Sequence, residues 1–203
     1  MKTLTLVLTL GLAIAGPAVA QTEAPAPAQT AAPRMIDHLI NSPFVRNWNP
    51  WGLAPAPSPV TAQGVTGGQA LTIDVRRAGD PWSVGAVMTN SGAIKSGDVL
   101  LLGVWVRAAQ LPEGQSETQV PIILLEGQSE PKVTLAQSTN IAVGQTWTML
   151  YASGIATADF APGQSNIIIQ MGQAKHRLEL GPALLFNFGP DYDLSRLPRN
   201  PAR

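Results

Sequence analysis

Nucleophilic catalysis requires a Ser or Cys beside a His, and this chain offers few such residues. It has no Cys, and its two histidines are His38 and His176. We interpret His38 as part of a first strand and His176 as a surface residue in a charged turn. No Gly-x-Ser-x-Gly motif is present. The sequence therefore does not favour a hydrolase of the Ser-His-Asp type.

Metal binding has little support in the spacing of the ligating residues. Neither His-x-His nor His-Glu-x-x-His occurs, which argues against catalytic zinc. Asp191 and Asp193 are the closest pair of carboxylates, but two carboxylates alone make a poor calcium loop, and we interpret them as part of a solvated tail. We expect no cofactor, and a structural calcium ion is the one metal that the sequence leaves open.

Glycoside hydrolysis needs two carboxyl groups about 5 to 10 Å apart. The candidates on strands are Asp74, Glu126 and Glu179, each alone in an otherwise apolar run. Three independent surface acids explain these residues more simply than a catalytic pair. We therefore expect that the protein is not an enzyme, and a small jelly-roll glycan hydrolase or lyase is kept as an alternative.

Tryptophan is abundant among the aromatic residues, with five Trp against two Tyr and four Phe. A flat indole face stacks on the apolar face of a sugar ring, while neighbouring amide, carboxylate or guanidinium groups hydrogen-bond the sugar hydroxyls. Core packing is the other role open to each Trp. The aromatic set thus indicates either core residues or a sugar-stacking surface.

Charge and composition exclude several classes of protein. Thirteen acidic and thirteen basic residues balance, so the basic surplus of a nucleic-acid binder is missing. The absence of Cys excludes a disulfide scaffold and a thiolate metal site. Charged residues make up 13% of the chain, too few for a coiled coil or a charged helical bundle. A neutral globular chain rich in Gly and Pro remains.

The N-terminus has the three-part pattern of a secretory signal peptide. Lys2 precedes an apolar run that is too short to span a bilayer, and Ala18-Val19-Ala20 forms a cleavage site. We therefore expect export to the periplasm or the medium and no membrane contact after cleavage. The predicted parts are a signal peptide (1–20), a disordered Ala/Pro-rich tether (21–34), one folded domain (35–198) and a tail (199–203).

The body of the chain reads as short strands, because apolar and polar residues alternate between Gly, Pro, Asn and Asp turns. Stretches of helical length are interrupted by Gly or Pro. The fold class predicted is all-β, an antiparallel two-sheet β-sandwich of jelly-roll type. The predicted strands are 71–75, 82–88, 99–106, 120–125, 147–151, 167–171 and 178–188.

The order of motifs resembles the carbohydrate-binding modules of families 4, 9 and 22, galactose-binding-like jelly rolls often attached to xylanases and cellulases. The resemblance covers about 36–198. The matching segments are His38-Leu39-Ile40-Asn41 with Phe44, Trp48 and Trp51; Gly68 to Ile73 with Asp80-Pro81-Trp82; Ile94 to Ala108; Gln145-Thr146-Trp147 with Tyr151; Ile169 to Gly172; and Glu179 to Pro182 with Phe186-Asn187.

The resemblance implies that the domain binds a plant-type polysaccharide, xylan or β-glucan, in a groove across a concave sheet. Carried over one position at a time, Trp82 and Arg107 match residues that face the groove. Alternation along the strand directs Gln170 away from the core, and Glu126 ends a strand that lines the same surface. These four residues are the predicted carbohydrate-binding residues.

The family pattern also assigns the other aromatic positions. Trp105 and Trp147 match core positions, and we expect both to be structural. Where the family often has Tyr or Trp on its groove strands, this chain has Ile123, Leu125, Gln137 and Ile168.

The predicted partners are a polysaccharide and a separately encoded glycoside hydrolase, with no nucleic acid. The alternative from another class is an interaction or scaffold domain that keeps the sandwich but has lost sugar binding. Retardation by polysaccharides distinguishes this alternative from a sugar-binding module.

Overall fold

The computed structural model describes residues 34–201. The predicted signal peptide, and the predicted tether apart from Arg34, lie outside the described residues. The strands are β1 (Asn49–Trp51), β2 (Val60–Thr61), β3 (Gln69–Val75), β4 (Gly85–Thr89), β5 (Val99–Gln110), β6 (Thr118–Gly127), β7 (Thr134–Val143), β8 (Thr148–Ile155), β9 (Ser165–Gln170) and β10 (His176–Asn187). Short 3₁₀ turns span Met35–His38, Val45–Asn47, Thr66–Gly68, Pro81–Ser83 and Leu194–Arg196.

Two antiparallel five-stranded sheets form the fold. The first sheet has the strand order β1-β4-β9-β6-β7, and the second has the order β2-β3-β10-β5-β8. All the strand pairs are antiparallel. The prediction of an all-β antiparallel sandwich is therefore confirmed. In the described part of the chain, no helix is long and apolar enough to cross a membrane.

Alternate residues of the central strands fill the space between the sheets. On β5, the side chains of Leu100, Leu102, Val104 and Val106 are buried in the core. The period of two follows from the pleat of a strand, which turns successive side chains to opposite faces. Trp48 is the buried tryptophan, 5% exposed, and its indole nitrogen donates a 2.9 Å hydrogen bond to the carbonyl of Gly181.

The structure corrects two expectations about secondary structure. His38 lies in a 3₁₀ turn rather than in a strand, and only a single bridge, between Leu39 and Phe186, joins the following residue to β10. The apolar pattern also misses β7, because the polar residues 137–140 interrupt the alternation there. Since β7 is the edge of the first sheet, it can expose these residues to solvent.

His176 is a buried residue at the start of β10, not a residue of a surface turn; it is only 3% exposed. Its Nε2 donates to the carbonyl of Met171 at 3.0 Å, and its Nδ1 lies 2.6 Å from the hydroxyl of Thr118. Burial lowers the pKa of His176 because the cation would lose its hydration. The neutral ring thus joins the starts of β6 and β10 to the residue after β9.

The C-terminal segment packs on the outer face of the second sheet. Leu197 is buried against Val99 and Leu101 of β5, in a cluster separate from the main core. Asn200 binds the edge of β8 through the main chain of Tyr151, accepting from its N–H at 2.8 Å and donating to its carbonyl at 2.7 Å. Ordered contacts therefore continue as far as Asn200.

Candidate functional site

The outer face of the first sheet brings together the polar and aromatic residues best placed for binding. Strand register aligns outward-facing residues in rows that cross the sheet from β1 to β7. One row runs Trp51, Gly85, Gln170, Ile122 and Thr139; the next runs Asn49, Val87, Ile168, Leu124 and Gln137; the third contains Thr89, Asn166 and Glu126. We call this surface the Trp51 face.

The indole of Trp51 packs closely over its strand neighbour Gly85, which has no side chain. Trp51 pairs with Gly85, and a β-carbon at Gly85 would overlap the Cζ2 and Cη2 atoms of the Trp51 ring. A glycine within a strand often marks such a close approach. The ring is half-buried, so one part of it remains open to solvent.

Trp82 is presented to solvent by a rigid turn just before β4. Its side chain is 60% exposed, the most exposed large hydrophobic group among residues 34–201. The carbonyl of Trp82 accepts a 2.8 Å hydrogen bond from Nε1 of Trp51. The turn is further held by the N–H of Ser83, which donates to Asp80, and by the N–H of Gly172, which donates to Pro81. An exposed aromatic ring on a fixed backbone loses little conformational entropy on binding.

Gln170 lies in the same row as Trp51, on the other side of Gly85. Its Oε1 is buried and has no hydrogen-bond partner among residues 34–201. Leaving a buried acceptor unpaired costs about 1 to 3 kcal/mol, so such a group needs a particular explanation. The outward position predicted for Gln170 is confirmed, since its neighbours Ile169 and Met171 are buried in the core.

Glu126 also lies on the Trp51 face, near the C-terminal end of β6. It pairs with Asn166 of β9, whose side-chain oxygen accepts hydrogen bonds from Thr89 and Gln128. Four residues separate Glu126 from Ile122, which is paired with Gln170, so the two predicted ligand contacts lie about 14 Å apart along the strands. They can therefore contact different units of one extended ligand.

Arg107 does not lie on the Trp51 face, so it does not share one surface with Gln170 and Glu126; its assignment as a carbohydrate-binding residue stays a prediction. Arg107 lies on β5 in the second sheet, whereas Gln170 and Glu126 lie in the first. Its Nε is 2.6 Å from Oε2 of Glu179, and its guanidinium lies over the ring of Trp147, 5.0 Å from the centroid. Parity along β5 placed Arg107 on an outer face, but it could not tell which sheet that face belongs to.

The other aromatic and aliphatic residues that were compared with the family pattern lie either in the core or on the outer face of one of the two sheets. Trp105 and Trp147 are half-buried on the outside of the second sheet rather than in the core. Ile123 and Leu125 are core residues, so they do not take the place of groove aromatics. Gln137 and Ile168 do face outward on the first sheet.

The position of Trp51 on this face was missed by sequence reasoning, which named Trp51 only within the motif order that resembles the family. Pro50 made the segment look unlike a strand, because Pro is tolerated only on edge strands, and β1 is such an edge strand. The signal that could have revealed it is Gly85, a glycine inside an apolar strand shortly after Trp82.

Metal ligands do not gather at this face. In the part of the chain that the structure describes, no three His, Asp or Glu residues are close enough together to hold a metal ion. The chemical groups on the Trp51 face are one indole, amides, hydroxyls and one carboxylate above an apolar floor, and the exposed Trp82 lies on the turn that Trp51 contacts.

Three solved structures have this fold at low sequence identity. The second N-terminal cellulose-binding domain of β-1,4-glucanase C from Cellulomonas fimi is 16% identical, with a TM-score of 0.53, over 75% of this chain and 93% of that one. The CBM22-1 and GH10 modules of xylanase 10B from Clostridium thermocellum, complexed with xylohexaose, are 15% identical, with a TM-score of 0.52. That alignment covers 74% of this chain but only 29% of the xylanase chain.

The third structure is the Stig cyclase Fisc from Fischerella sp. TAU, which is 14% identical, with a TM-score of 0.52, over 79% of this chain and 93% of the cyclase.

No family model matches the chain, and no curated protein matches it. Binding domains and a cyclase share the fold, so activity must be argued from the site. The chain has the jelly-roll fold of the carbohydrate-binding modules that its motif order resembles.

Proposed function

We propose that the protein is an exported, non-catalytic module that binds a neutral β-linked polysaccharide, xylan or β-glucan, on the Trp51 face. The observation that carries the proposal is the pair Trp51 and Trp82. The indole of Trp51 lies against the sheet and donates a hydrogen bond to the main-chain carbonyl of Trp82, whose own side chain projects into solvent. Aromatic side chains supply large contact areas at binding interfaces, and two of them adjoin here.

The chemistry of the face suits a neutral glycan. Indole rings stack on the apolar faces of sugar rings, and the amides of Gln170, Asn166 and Gln137 can hydrogen-bond hydroxyl groups. Glu126 is the one charged side chain in the three rows. Four strand spacings from β1 to β7 span about 19 Å, which gives room for several sugar units side by side.

Affinity is expected to be modest, because an open sheet face leaves much of the ligand in water and gains little free energy per atom. Attachment near a substrate requires only such weak, reversible contacts. A separately encoded glycoside hydrolase is the partner that this role implies, and export by the predicted signal peptide would place both at the polysaccharide. Sequencing the N-terminus of the exported protein should show a start at Gln21.

The proposal is tested by affinity electrophoresis in gels that contain xylan, mixed-linkage β-glucan or hydroxyethylcellulose, with pullulan as an α-linked control. We expect retardation by at least one β-linked polymer. Trp82→Ala and Trp51→Ala should each weaken binding by about tenfold, the loss of one stacked ring with its hydrogen-bonding neighbours.

Trp147→Ala is the matched control, because it removes an equally half-buried indole from the outside of the second sheet. It should leave retardation unchanged. Retardation by none of the polymers would favour the scaffold alternative. Release of reducing or unsaturated sugar ends, lost on Glu126→Gln, would instead support the hydrolase or lyase alternative.

A further inference from the structure

A polar cleft opens where the edge strands of the two sheets separate. At one end β7 and β8 touch so closely that a β-carbon at Gly154 would collide with the carbonyl of Leu135. Farther along, the strands diverge and leave a cavity of about 670 Å³ between residues 137–142 and 148–153. The C-terminal residues 198–201 form another wall of this cavity. We call it the seam cleft.

The seam cleft is continuous with the Trp51 face. Gln137 and Thr139 stand at the β7 end of two rows of that face, and both also line the cleft. A chain lying along the row of Trp51 and Gln170 therefore reaches the cleft as it leaves the sheet. The two surfaces meet without an intervening strand, because β7 is the edge of the first sheet.

An irregularity of β7 creates this junction. Asn140 has a φ of +52°, in the left-handed region, in the middle of the strand. The residue opposite, Pro121, has no N–H to donate, and the paired register passes from Val120–Ile141 directly to Ile122–Thr139. Asn adopts the left-handed conformation at a lower energetic cost than most other residues. Residues held in such sparsely populated backbone conformations cluster at functional sites. Asn140 lies in the middle of the six consecutive β7 residues, 137–142, that line the cleft.

The lining of the cleft suits a ligand that has many hydroxyl groups and no charge. Glu117 and Arg199 supply one charge of each sign, and hydroxyls of Thr139, Thr148 and Ser153 supply donors and acceptors. A polyanion would meet as much repulsion as attraction. Tyr151 adds an aromatic ring of the kind that packs against sugars.

We propose that the seam cleft is a second contact region for the same neutral polysaccharide, holding sugar units that extend past the β7 edge. This inference rests on the proposed function of the Trp51 face. The length of the saccharide therefore decides whether it contacts the seam cleft, because only a chain long enough to cross the sheet can occupy both regions.

The experiment compares wild type, Thr148→Arg and Thr146→Arg by calorimetric titration with trisaccharides and octasaccharides of β-1,4-xylose and β-1,4-glucose. Both threonines are exposed and two residues apart, but only Thr148 lines the cleft. We expect Thr148→Arg to bind octasaccharides about fivefold more weakly, the loss of one or two hydrogen bonds, and trisaccharides as wild type does. Thr146→Arg should match wild type at both lengths.

A second measurement does not depend on the folding of a variant. In the wild-type protein, the octasaccharide should shift the amide NMR signals of Thr148 and Ser153, and the trisaccharide should not. If Thr148→Arg binds octasaccharides normally and these signals stay fixed, while Trp51→Ala abolishes binding, the cleft is not a contact region and the proposed function stands. If wild type binds no saccharide, both proposals are overturned.

Discussion

The indole nitrogen of Trp51 donates a 2.8 Å hydrogen bond to the main-chain carbonyl of Trp82. The bond joins two aromatic residues at the β1 end of the surface that binds sugar in our proposal: Trp51, whose ring packs against the sheet, and Trp82, which projects from a turn. Because it fixes the backbone of Trp82, it should affect ligand affinity as well as stability.

Trp51→Phe tests this bond, since Phe keeps an aromatic ring but has no N–H. We expect about 1 kcal/mol lower free energy of unfolding and roughly fivefold weaker binding to the retarding polysaccharide. Trp147→Phe removes a similar 3.0 Å bond, from Nε1 to the carbonyl of Gln63, on the other sheet. It should show the same stability loss with normal binding; equal binding losses in the two variants would contradict a special role of the Trp51 bond.

Gly85→Ala should displace the Trp51 ring, and its methyl group would also press on the carbonyl oxygen of Ile169. The added methyl group would overlap Cζ2 of the ring, and backbone on the far side prevents it from moving away. We expect about 1 to 3 kcal/mol lower stability, altered near-UV circular dichroism from the displaced indole, and weaker polysaccharide binding. Gly144→Ala is the control for stability and circular dichroism, because its added methyl group meets no atom within 4 Å.

The architecture was predictable from the sequence because strand alternation is a local property. Successive residues of β9 face opposite sides of the sheet, so the outward direction of Gln170 follows from the apolar residues on either side of it. Trp82 was predicted as the first residue of a strand over 82–88, but the structure places it in a 3₁₀ turn before β4, where no strand partner covers it.

Sheet membership was not predictable in the same way, because it depends on pairing between distant segments. Arg107 and Gln170 both point outward, but β5 pairs with β10 and β9 pairs with β6. His176 shows a second limit, since charged neighbours in sequence suggested exposure while Thr118, 58 residues away, covers it in the fold. The local sequence pattern predicts which face of a strand a side chain lies on. It does not predict which residues from distant segments pack against that side chain.

Arg107 should stabilise the fold and play no part in sugar binding on the Trp51 face. Its side chain is 33% exposed and that of Glu179 only 18%, so removing one partner leaves the other partly buried without its ion pair. We expect Arg107→Ala to lower the free energy of unfolding by about 1 to 2 kcal/mol, with unchanged retardation in polysaccharide gels. A double-mutant cycle with Glu179→Gln measures the coupling, and weaker retardation of Arg107→Ala would confirm it as a binding residue.

Stability should fall as the pH drops below about 6.5, because of His176. The unfolded chain takes up a proton near the ordinary His pKa of 6.5, whereas burial lowers the pKa of His176 in the folded protein. Between these two pKa values only the unfolded state is protonated, and acid therefore favours unfolding. Urea unfolding from pH 8 to pH 5 should show this slope in wild type and a flatter one in His176→Gln; equal slopes would mean that His176 titrates alike in both states.

Asn200 should protect the exposed edge of β8 from solvent. Its amide group makes two hydrogen bonds to the main chain of Tyr151 and a third, of 2.9 Å, to the hydroxyl of Ser138 on β7. Asn200→Ala leaves the N–H of Tyr151 without this acceptor, so we expect its amide exchange to become about tenfold faster, as local opening loses roughly one hydrogen bond of resistance. Arg199→Ala removes an exposed neighbour that forms no hydrogen bond within residues 34–201, and its Tyr151 exchange should match wild type. Unchanged exchange in Asn200→Ala would mean that the C-terminal segment does not hold this strand edge closed.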